Sequence, residues 1–558
     1  MNTQQILMLM IVACLTGCSG KQSELEQALA KQTYTRTNVM YNEAAYVPAQ
    51  CYTKTQDEQG NAYNSCYACH ANGKRPNFIN GTDLQLEYGF TAAYLQTNRW
   101  KNLFRDFSAH TQSLTDESIL AYVRQSNYFA QDGEIILADK LKNPPKKWDA
   151  NNNGKWDGFV PDVYFNFDQN GFDQTPDGQF NGWRVFAYAP FPGAFMPTNG
   201  ATDDVMLRLP LVFRQNNQGQ LDLQVYQINL AIVEALIQEK DISIPVTNEQ
   251  LYQVDLDKNG ELSSAQKITY QWAPKQNEYM NFVGKAGELQ KQGELKVAAG
   301  LFPVGTEFLH TVRYLDLNQQ QQVQKSARIK EVRYSKKVSW NNYAQLQNAA
   351  LSEIKEKHDF PERLRTFKGD SETGLYTGMG WKYQAFIEDK QGDLRPQTYE
   401  ETVFCMGCHS GISATTDLNF SFARKFNNQQ FKNGWYHWSE KSIAGTTETK
   451  MADGRAEFQT YLTNNPWGDE FRTNQEVFNK FYNPDTTAKP AMFDALKHDL
   501  GILMLPSAER ALALNKAYQA IVAEQSYIWG RTPLLAPTKN VHEFVESGTP
   551  TGLQVILR

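Results

Sequence analysis

Hydrophobic and polar positions change their period along the chain. The polar set Thr115-Asp116-Glu117-Ser118 leads into the apolar stripe Ile119-Leu120-Ala121-Tyr122-Val123, which predicts a capped helix. Pro144-Pro145 ends that pattern. Alternation takes over next: Leu221-Asp222-Leu223-Gln224-Val225 follows the turn-forming Asn216-Asn217-Gln218-Gly219-Gln220, which predicts a hairpin. Val312–Leu317 and Val323–Tyr334 predict a second hairpin across a Gln-rich turn. The run Ile228–Val233 between them carries no period that separates helix from strand. A further amphipathic helix runs from Ser507 to Trp529, with Leu514, Tyr518, Ile521 and Gln525 on one side and Gly530 as its stop.

The expected class is therefore α+β, with two mainly helical regions flanking a β-rich middle. The helical regions are 46–145 and 401–558, the middle is 146–340, and 341–400 is a connecting helix with loops. At 558 residues the chain exceeds one ordinary core. A net charge of −6 leaves no nucleic-acid footprint.

Two motifs decide the chemistry: Cys66-Tyr-Ala-Cys69-His70 and Cys405-Met-Gly-Cys408-His409. Cys-x-x-Cys-His is the pattern of covalent c-type haem attachment. Both thiols form thioethers to porphyrin vinyl groups, and the adjacent histidine becomes the proximal iron ligand. The alternatives are a disulfide, a redox dithiol or half of a zinc site, but neither motif has a partner cysteine pair suited to zinc. Two copies in a chain with seven cysteines and eight histidines favour two haems c.

Residues 1–17 read as a signal peptide with an apolar stretch, Met8–Leu15, too short to span a bilayer. Leu15-Thr16-Gly17-Cys18 resembles the lipobox of bacterial lipoproteins, although no Lys or Arg lies in the first twenty residues. That resemblance implies lipidation of Cys18, a polar tether over 18–45, and, from Ser19, outer-membrane sorting on its periplasmic or surface side. A plain secretory signal is the alternative, and either takes the protein out of the cytoplasm. Cys51 then remains alone and has no partner for an internal disulfide.

Two oxygen-rich loops resemble the first half of an EF-hand calcium site. They are Asp149, Asn151, Asn153 and Asp157 around Gly154, and Asp255, Asp257 and Asn259 before Gly260. Val160 and Gln266 stand where the bidentate glutamate would be, so an acid from elsewhere must complete either site. An ion-free Asx turn is the alternative, and Asp168-Gln-Asn170-Gly171-Phe-Asp173 is a weaker third case.

The sixth iron ligand separates electron transfer from catalysis. His110 is the local candidate for the first haem, and His437 and Met504 for the second; Met40, Met451 and His498 are weaker. Two attachment motifs on one exported chain resemble the dihaem cytochrome c peroxidase group and its relatives, the dihaem rubber oxygenases. The resemblance implies helical cytochrome c-like haem regions, with His70 and His409 as proximal ligands. The favoured function is a dihaem electron carrier at the cell envelope, working with redox partner proteins and membrane-bound through its lipid. The alternative is a peroxidase- or oxygenase-type oxidoreductase with one open iron. A third reading is a surface-binding lipoprotein whose β-region grips a partner.

Overall fold

The computed structural model describes residues 40–43, 45–49, 55–56, 62–63, 66–72, 99–192, 197–363, 365–451, 453–465 and 474–535. Two short strands, β1 (Thr55–Gln56) and β2 (Ala62–Tyr63), precede the single turn α1 (Cys66–Cys69). Helices α2 (Ser108–Gln112), α3 (Asp116–Arg124) and α4 (Ile136–Lys142) lead into strands β3 (Phe172–Gln174), β4 (Phe180–Phe186) and β5 (Thr202–Arg208). Helix α5 (Leu223–Gln238), the ribbon β6 (Ile242–Asn248) and β7 (Ser264–Ile268), and α6 (Gly284–Lys291) follow. The long hairpin β8 (Glu307–Leu317) and β9 (Val323–Lys337) precedes α7 (Tyr343–Asp359). Next come β10 (Lys368–Asp370), β11 (Gly374–Tyr376), β12 (Trp381–Glu388) and β13 (Leu394–Pro396). The remaining helices are α8 (Tyr399–Cys408), α9 (Glu457–Asn464), α10 (Gln475–Phe481), α11 (Pro490–Leu496), α12 (Gly501–Met504) and α13 (Ala508–Glu524).

Nine strands form one antiparallel sheet in the order β10-β11-β12-β9-β8-β5-β4-β3, with β13 also paired to β12. Side chains alternate between its faces. On one face Phe186, Val205, Leu207, Phe308, Trp381 and Tyr383 pack with α5 and with Tyr399, Val403 and Met406 of α8. On the other, Trp183, Met206, Leu309, Val332, Tyr334 and Phe386 pack under Tyr128, Leu137, Trp148 and Phe159. Tyr314, Leu315 and Leu317 extend past that core to meet α3 and α13. A separate helical cluster of α9 to α12 buries Phe458, Tyr461, Phe481, Leu496 and Met504 together with Ala68, Ile412 and Ala414.

The expected layout of two helical regions flanking a β-rich middle does not hold. Strands β10 to β13 fall where loops were expected and join the same sheet. Their signal was lost because both faces are covered: in β12, seven of eight positions are buried and no polar face alternates. Helix α8 packs on the sheet instead of belonging to a separate helical unit. The alternating stretch at 221–225 is also not a strand. The turn before it forms, but Asp222 then accepts the N–H groups of Gln224 and Val225 and starts α5, a mostly apolar helix with 13 of its 16 residues buried. The 312–334 hairpin and the helix capped by Thr115 form as expected. Ser507 caps α13, which stops at Gln525 (φ 55°), short of Gly530.

Candidate functional site

Helix α8 presents the second motif. Thr398 and Glu401 form a capping box at its start, and Arg395 grips the Glu401 carboxylate with bonds of 2.7 and 2.9 Å. Tyr399, Val403 and Met406, spaced four and three apart, bury one stripe on the sheet. Cys405 and Cys408 share the last turn of the helix, and His409 leaves it with its N–H bonded to the Cys405 carbonyl at 2.9 Å. Gly407, one of the two residues between the thiols, is constrained too. A Cβ at Gly407 would lie 1.6 Å from the Tyr46 carbonyl and 2.7 Å from the Pro48 ring. The chain at 46–48 thus crosses α8 against a bare backbone. Glu400 secures the same segment by accepting the N–H groups of Tyr41, at 2.9 Å, and Asn42.

His409 is held in one tautomer. Its Nδ1 lies 2.9 Å from the Leu418 carbonyl, which can only accept, so Nδ1 carries the hydrogen and Nε2 keeps its lone pair. Burial pushes the imidazole down to about 4 against the pull of that carbonyl, and Arg333 and His310 add repulsion. The ring is therefore neutral at pH 7. Tyr383 packs on it at 4.6 Å between centroids, and Phe420 meets it edge-on at 5.5 Å. Burial, and then its neighbour Cys405, push the Cys408 thiol up to about 12. A fixed Nε2 beside two neutral thiols on one helical turn is a donor set that fits a c-type haem.

The Leu418 carbonyl is itself held firmly. Thr416 and Asn419 exchange backbone bonds of 2.9 and 3.0 Å across a tight turn, with Asp417 (φ 50°) and Leu418 (φ 63°) both left-handed. Leucine is a poor residue for that conformation, and the turn persists because its surroundings fix it. Lys337 pairs with the Asp417 carboxylate, which also accepts the Phe302 N–H at 2.9 Å. The Tyr383 hydroxyl donates to the Leu418 carbonyl at 3.1 Å.

The first motif meets the same loop. The Cys69 carbonyl accepts the Ser413 hydroxyl at 2.9 Å and the Ala414 N–H at 3.3 Å. Ala68 is buried, and Cys69 and His70 are half-buried beside the helical cluster. Cys66 opens α1; its side chain, Cys18, Cys51 and the 1–17 segment lie outside the described residues.

A family model described as a "-like lipoprotein" matches residues 35–495. The chain belongs to this lipoprotein family. It is 31% identical over 574 residues to an uncharacterized lipoprotein of Aquifex aeolicus (strain VF5), covering 94% of this chain and 90% of that one. No solved structure matches the chain. Family membership makes this a lipoprotein of the cell envelope, anchored to a membrane through lipid. Among the described residues no helix is long and apolar enough to cross a membrane.

The lipoprotein places the other haem-ligand candidates in different surroundings. His437 is 4% exposed, with Nε2 2.6 Å from Asp204 and Nδ1 accepting from the Ser439 N–H at 3.1 Å, so both ring nitrogens are engaged. Met504 is fully buried in the helical cluster that takes Ala68 and Cys69 of the first motif and Ile412 and Ala414 just after the second. His110 lies on α2, which packs against α13, and its Nε2 is buried without a hydrogen-bond partner. Sequence reasoning missed His310 and Arg333. They are cross-strand partners on β8 and β9 and act electrostatically on His409. The available signal was period two: Phe308, His310 and Val312 share a face, which sets a histidine in an apolar row.

The two oxygen-rich loops adopt one geometry. Asp149 accepts the N–H groups of Asn153 (3.1 Å) and Gly154 (2.7 Å); Asp255 accepts those of Asn259 (3.2 Å) and Gly260 (3.0 Å). Each loop turns through two positive φ values, at Asn152 and Gly154 and at Lys258 and Gly260. A buried glutamate from outside the repeat backs each loop. Glu372 accepts from Ala150 (2.6 Å) and Asp157 (2.8 Å), and Glu249 accepts from Leu256 and from Ser263 (2.9 Å). Oxygens of Glu249, Asp255 and Asp257 lie within 4.8 Å of one another. The third stretch is a turn: Asp173 spends its carboxylate on the Tyr164 and Asn166 N–H groups and the Asn181 amide.

Proposed function

We propose that this lipoprotein is a dihaem c-type cytochrome that carries electrons at the cell envelope, anchored to the outer membrane through Cys18. One observation carries the reading. The loop after His409 fixes that imidazole through Leu418 and also hydrogen-bonds the Cys69 backbone through Ser413 and Ala414. Two motifs separated by more than half the chain thus meet at one loop, as a two-centre relay requires.

When bound, each haem supplies a one-electron couple at its iron. The chain's own groups do the rest. Cys405 and Cys408 offer both thiols from one helical turn. Leu418 fixes the tautomer and angle of His409, and Tyr383 and Phe420 wall its ring. Redox partner proteins would exchange the electrons. The two oxygen-lined loops would each take a structural calcium ion, with Glu372 and Glu249 standing where a twelfth-position glutamate would serve.

The test is the intact mass of the full-length protein made with c-type haem maturation, followed by oxidised and reduced optical spectra with and without carbon monoxide. The added mass of two haems and spectra indifferent to carbon monoxide support the relay. The mass of the bare chain sinks it. Two haems with one iron that takes carbon monoxide would move the assignment to a peroxidase- or oxygenase-type oxidoreductase.

A further inference from the structure

A polar cleft of about 1060 Å³ opens among α9, the 423–430 loop, the 447–455 turn and the ends of α5 and α11. No residue of either Cys-x-x-Cys-His motif or of the oxygen-rich loops lines it. Its size matches the roughly 300–1,000 Å³ of small-molecule sites, but those are mostly apolar and this one is not. The wall carries six Lys and Arg side chains and one carboxyl, in a chain whose net charge is −6.

The charges divide by depth. In the buried part of the wall, Arg424 is spent on Glu457 through bonds of 2.8 and 3.1 Å, and Lys425 on Glu234 at 2.7 Å. These pairs fix the wall and leave little for a ligand. The carboxyl, Glu448, is also spent internally. It accepts the Gln459 backbone N–H at 2.7 Å and the Gln459 amide at 3.1 Å, which caps the first turn of α9. The exposed part holds Lys240, Lys450, Arg455 and Lys497. Arg455 pairs with Asp453 and Lys497 with Asp494, but both pairs are solvent-exposed and neither aspartate lines the cleft. Exposed pairs hold weakly enough to exchange for another anion. Four cations from three separate segments thus line one concavity, which focuses a positive field into it. Asn427, Gln429 and Thr463 line the same exposed part, with amide and hydroxyl groups that both donate and accept.

We propose that this cleft binds a phosphorylated sugar. The phosphate supplies the anion that the exposed cations call for, and ring hydroxyls match the amides and the threonine hydroxyl group for group. An apolar acid would leave those amides unpaired, and a neutral sugar would leave the cations unanswered. A nucleotide base needs a flat face to stack on, and Phe426, the one Phe, Tyr or Trp in the wall, is buried. Two sources offer this chemistry to a lipid-anchored envelope protein: a soluble sugar phosphate, or the phosphorylated sugar head group of a lipid. The assignment stands apart from the haem reading, because it uses none of its residues.

The experiment titrates the full-length protein by calorimetry with glucose 6-phosphate, glucose and inorganic phosphate. Vesicles bearing lipid A, a phosphorylated glucosamine disaccharide lipid, are compared with vesicles of phosphatidylglycerol. Lys450→Glu/Lys497→Glu reverses two of the exposed cations, and Lys275→Glu reverses an exposed one outside the cleft. The expected result is saturable binding of glucose 6-phosphate or lipid A, tighter than that of the matching controls and weakening as salt rises. The double variant should bind about tenfold more weakly or worse at an unchanged melting temperature, and Lys275→Glu should bind as wild type. Binding of glucose 6-phosphate assigns a soluble ligand, and binding of lipid A alone assigns a lipid head group. Three results would overturn the proposal: no saturable binding of either, inorganic phosphate and phosphatidylglycerol binding as tightly as their sugar-bearing counterparts, or a double variant that binds as wild type. If the double variant is unstable, Lys240→Gln/Lys450→Gln decides, since it removes charge without adding any.

Discussion

Replacing Asp417 tests whether the Leu418 turn is built to hold His409. The Lys337–Asp417 pair is sealed in the core, with side chains 1% and 0% exposed. Burial raises the Asp417 carboxyl, and Lys337 pulls it back down. Asp417→Asn keeps an oxygen for the Phe302 N–H but leaves the Lys337 ammonium facing a neutral amide. Removing one partner of a buried pair costs about 3–5 kcal/mol. The retained N–H bond places Asn at the low end, about 3 kcal/mol. Lys337→Met strands the carboxylate and should cost a similar amount. Lys337→Met with Asp417→Asn removes both charges, and such replacements are often neutral, so the double variant should return to within about 1 kcal/mol of wild type. Urea unfolding at pH 7, followed by circular dichroism, measures all four corners of the cycle. The reasoning requires a coupling of at least about 2 kcal/mol; single costs that add to within about 0.5 kcal/mol would refute it.

Other outcomes follow from the same structure. Gly407→Ala drives a Cβ into the Tyr46 carbonyl and should destabilise by about 1–3 kcal/mol through overpacking, or more if α8 shifts; a melting temperature equal to wild type would show that 46–48 does not press on α8. Burial pushes Glu400 and Glu448 up to about 7 from an ordinary 4.5, so the fold favours their protonated forms. Their contribution is full below pH 4.5 and lost as pH rises through 7, at most about 3 kcal/mol each. Wild type should therefore melt progressively lower between pH 5 and 8, with Glu400→Gln/Glu448→Gln showing a flatter slope; parallel profiles would count against both groups. A calcium chelator should lower the melting temperature of wild type, and Glu249→Gln should weaken that response; indifference of wild type to both calcium and chelator would leave the loops as plain turns.

Local rules were legible in the sequence where a local cause fixes the structure. Thr115 caps its helix, Ser507 caps α13, and the Gln-rich turn joins β8 to β9. The two oxygen-rich loops turn as their Asp, Asn and Gly spacing requires. What completes the first loop was not legible, because Glu372 arrives from 222 residues beyond Ala150. The sheet was only half visible for a related reason. A strand buried on both faces gives no alternation, so β12 reads like any apolar run, and β10, β11 and β13 are three residues each. The two Cys-x-x-Cys-His motifs stand out in the sequence because their residues are adjacent in the chain. Tyr383, His310 and Arg333 near the second motif were not legible because they come from distant strands.

That division accounts for the length of the chain between the motifs. Most of the groups bearing on His409 come from this intervening stretch. Lys337 pins Asp417 and so the turn; Tyr383 bonds the Leu418 carbonyl and packs the ring; Arg333 and His310 set its electrostatics. They sit on three adjacent strands of one face, within a few residues of a single register line. A bare wire would need none of them. A centre whose ligand geometry must survive repeated oxidation and reduction needs a surrounding frame that does not move, and a wide sheet covered on both faces is among the stiffest frames a chain can build. The intervening residues thus frame the second motif, and the first motif joins it through Ser413 and Ala414. A disturbance at Asp417 should therefore reach both motifs, whereas one at the oxygen-rich loops, backed by Glu372 and Glu249, should change stability and leave the surroundings of both motifs alike.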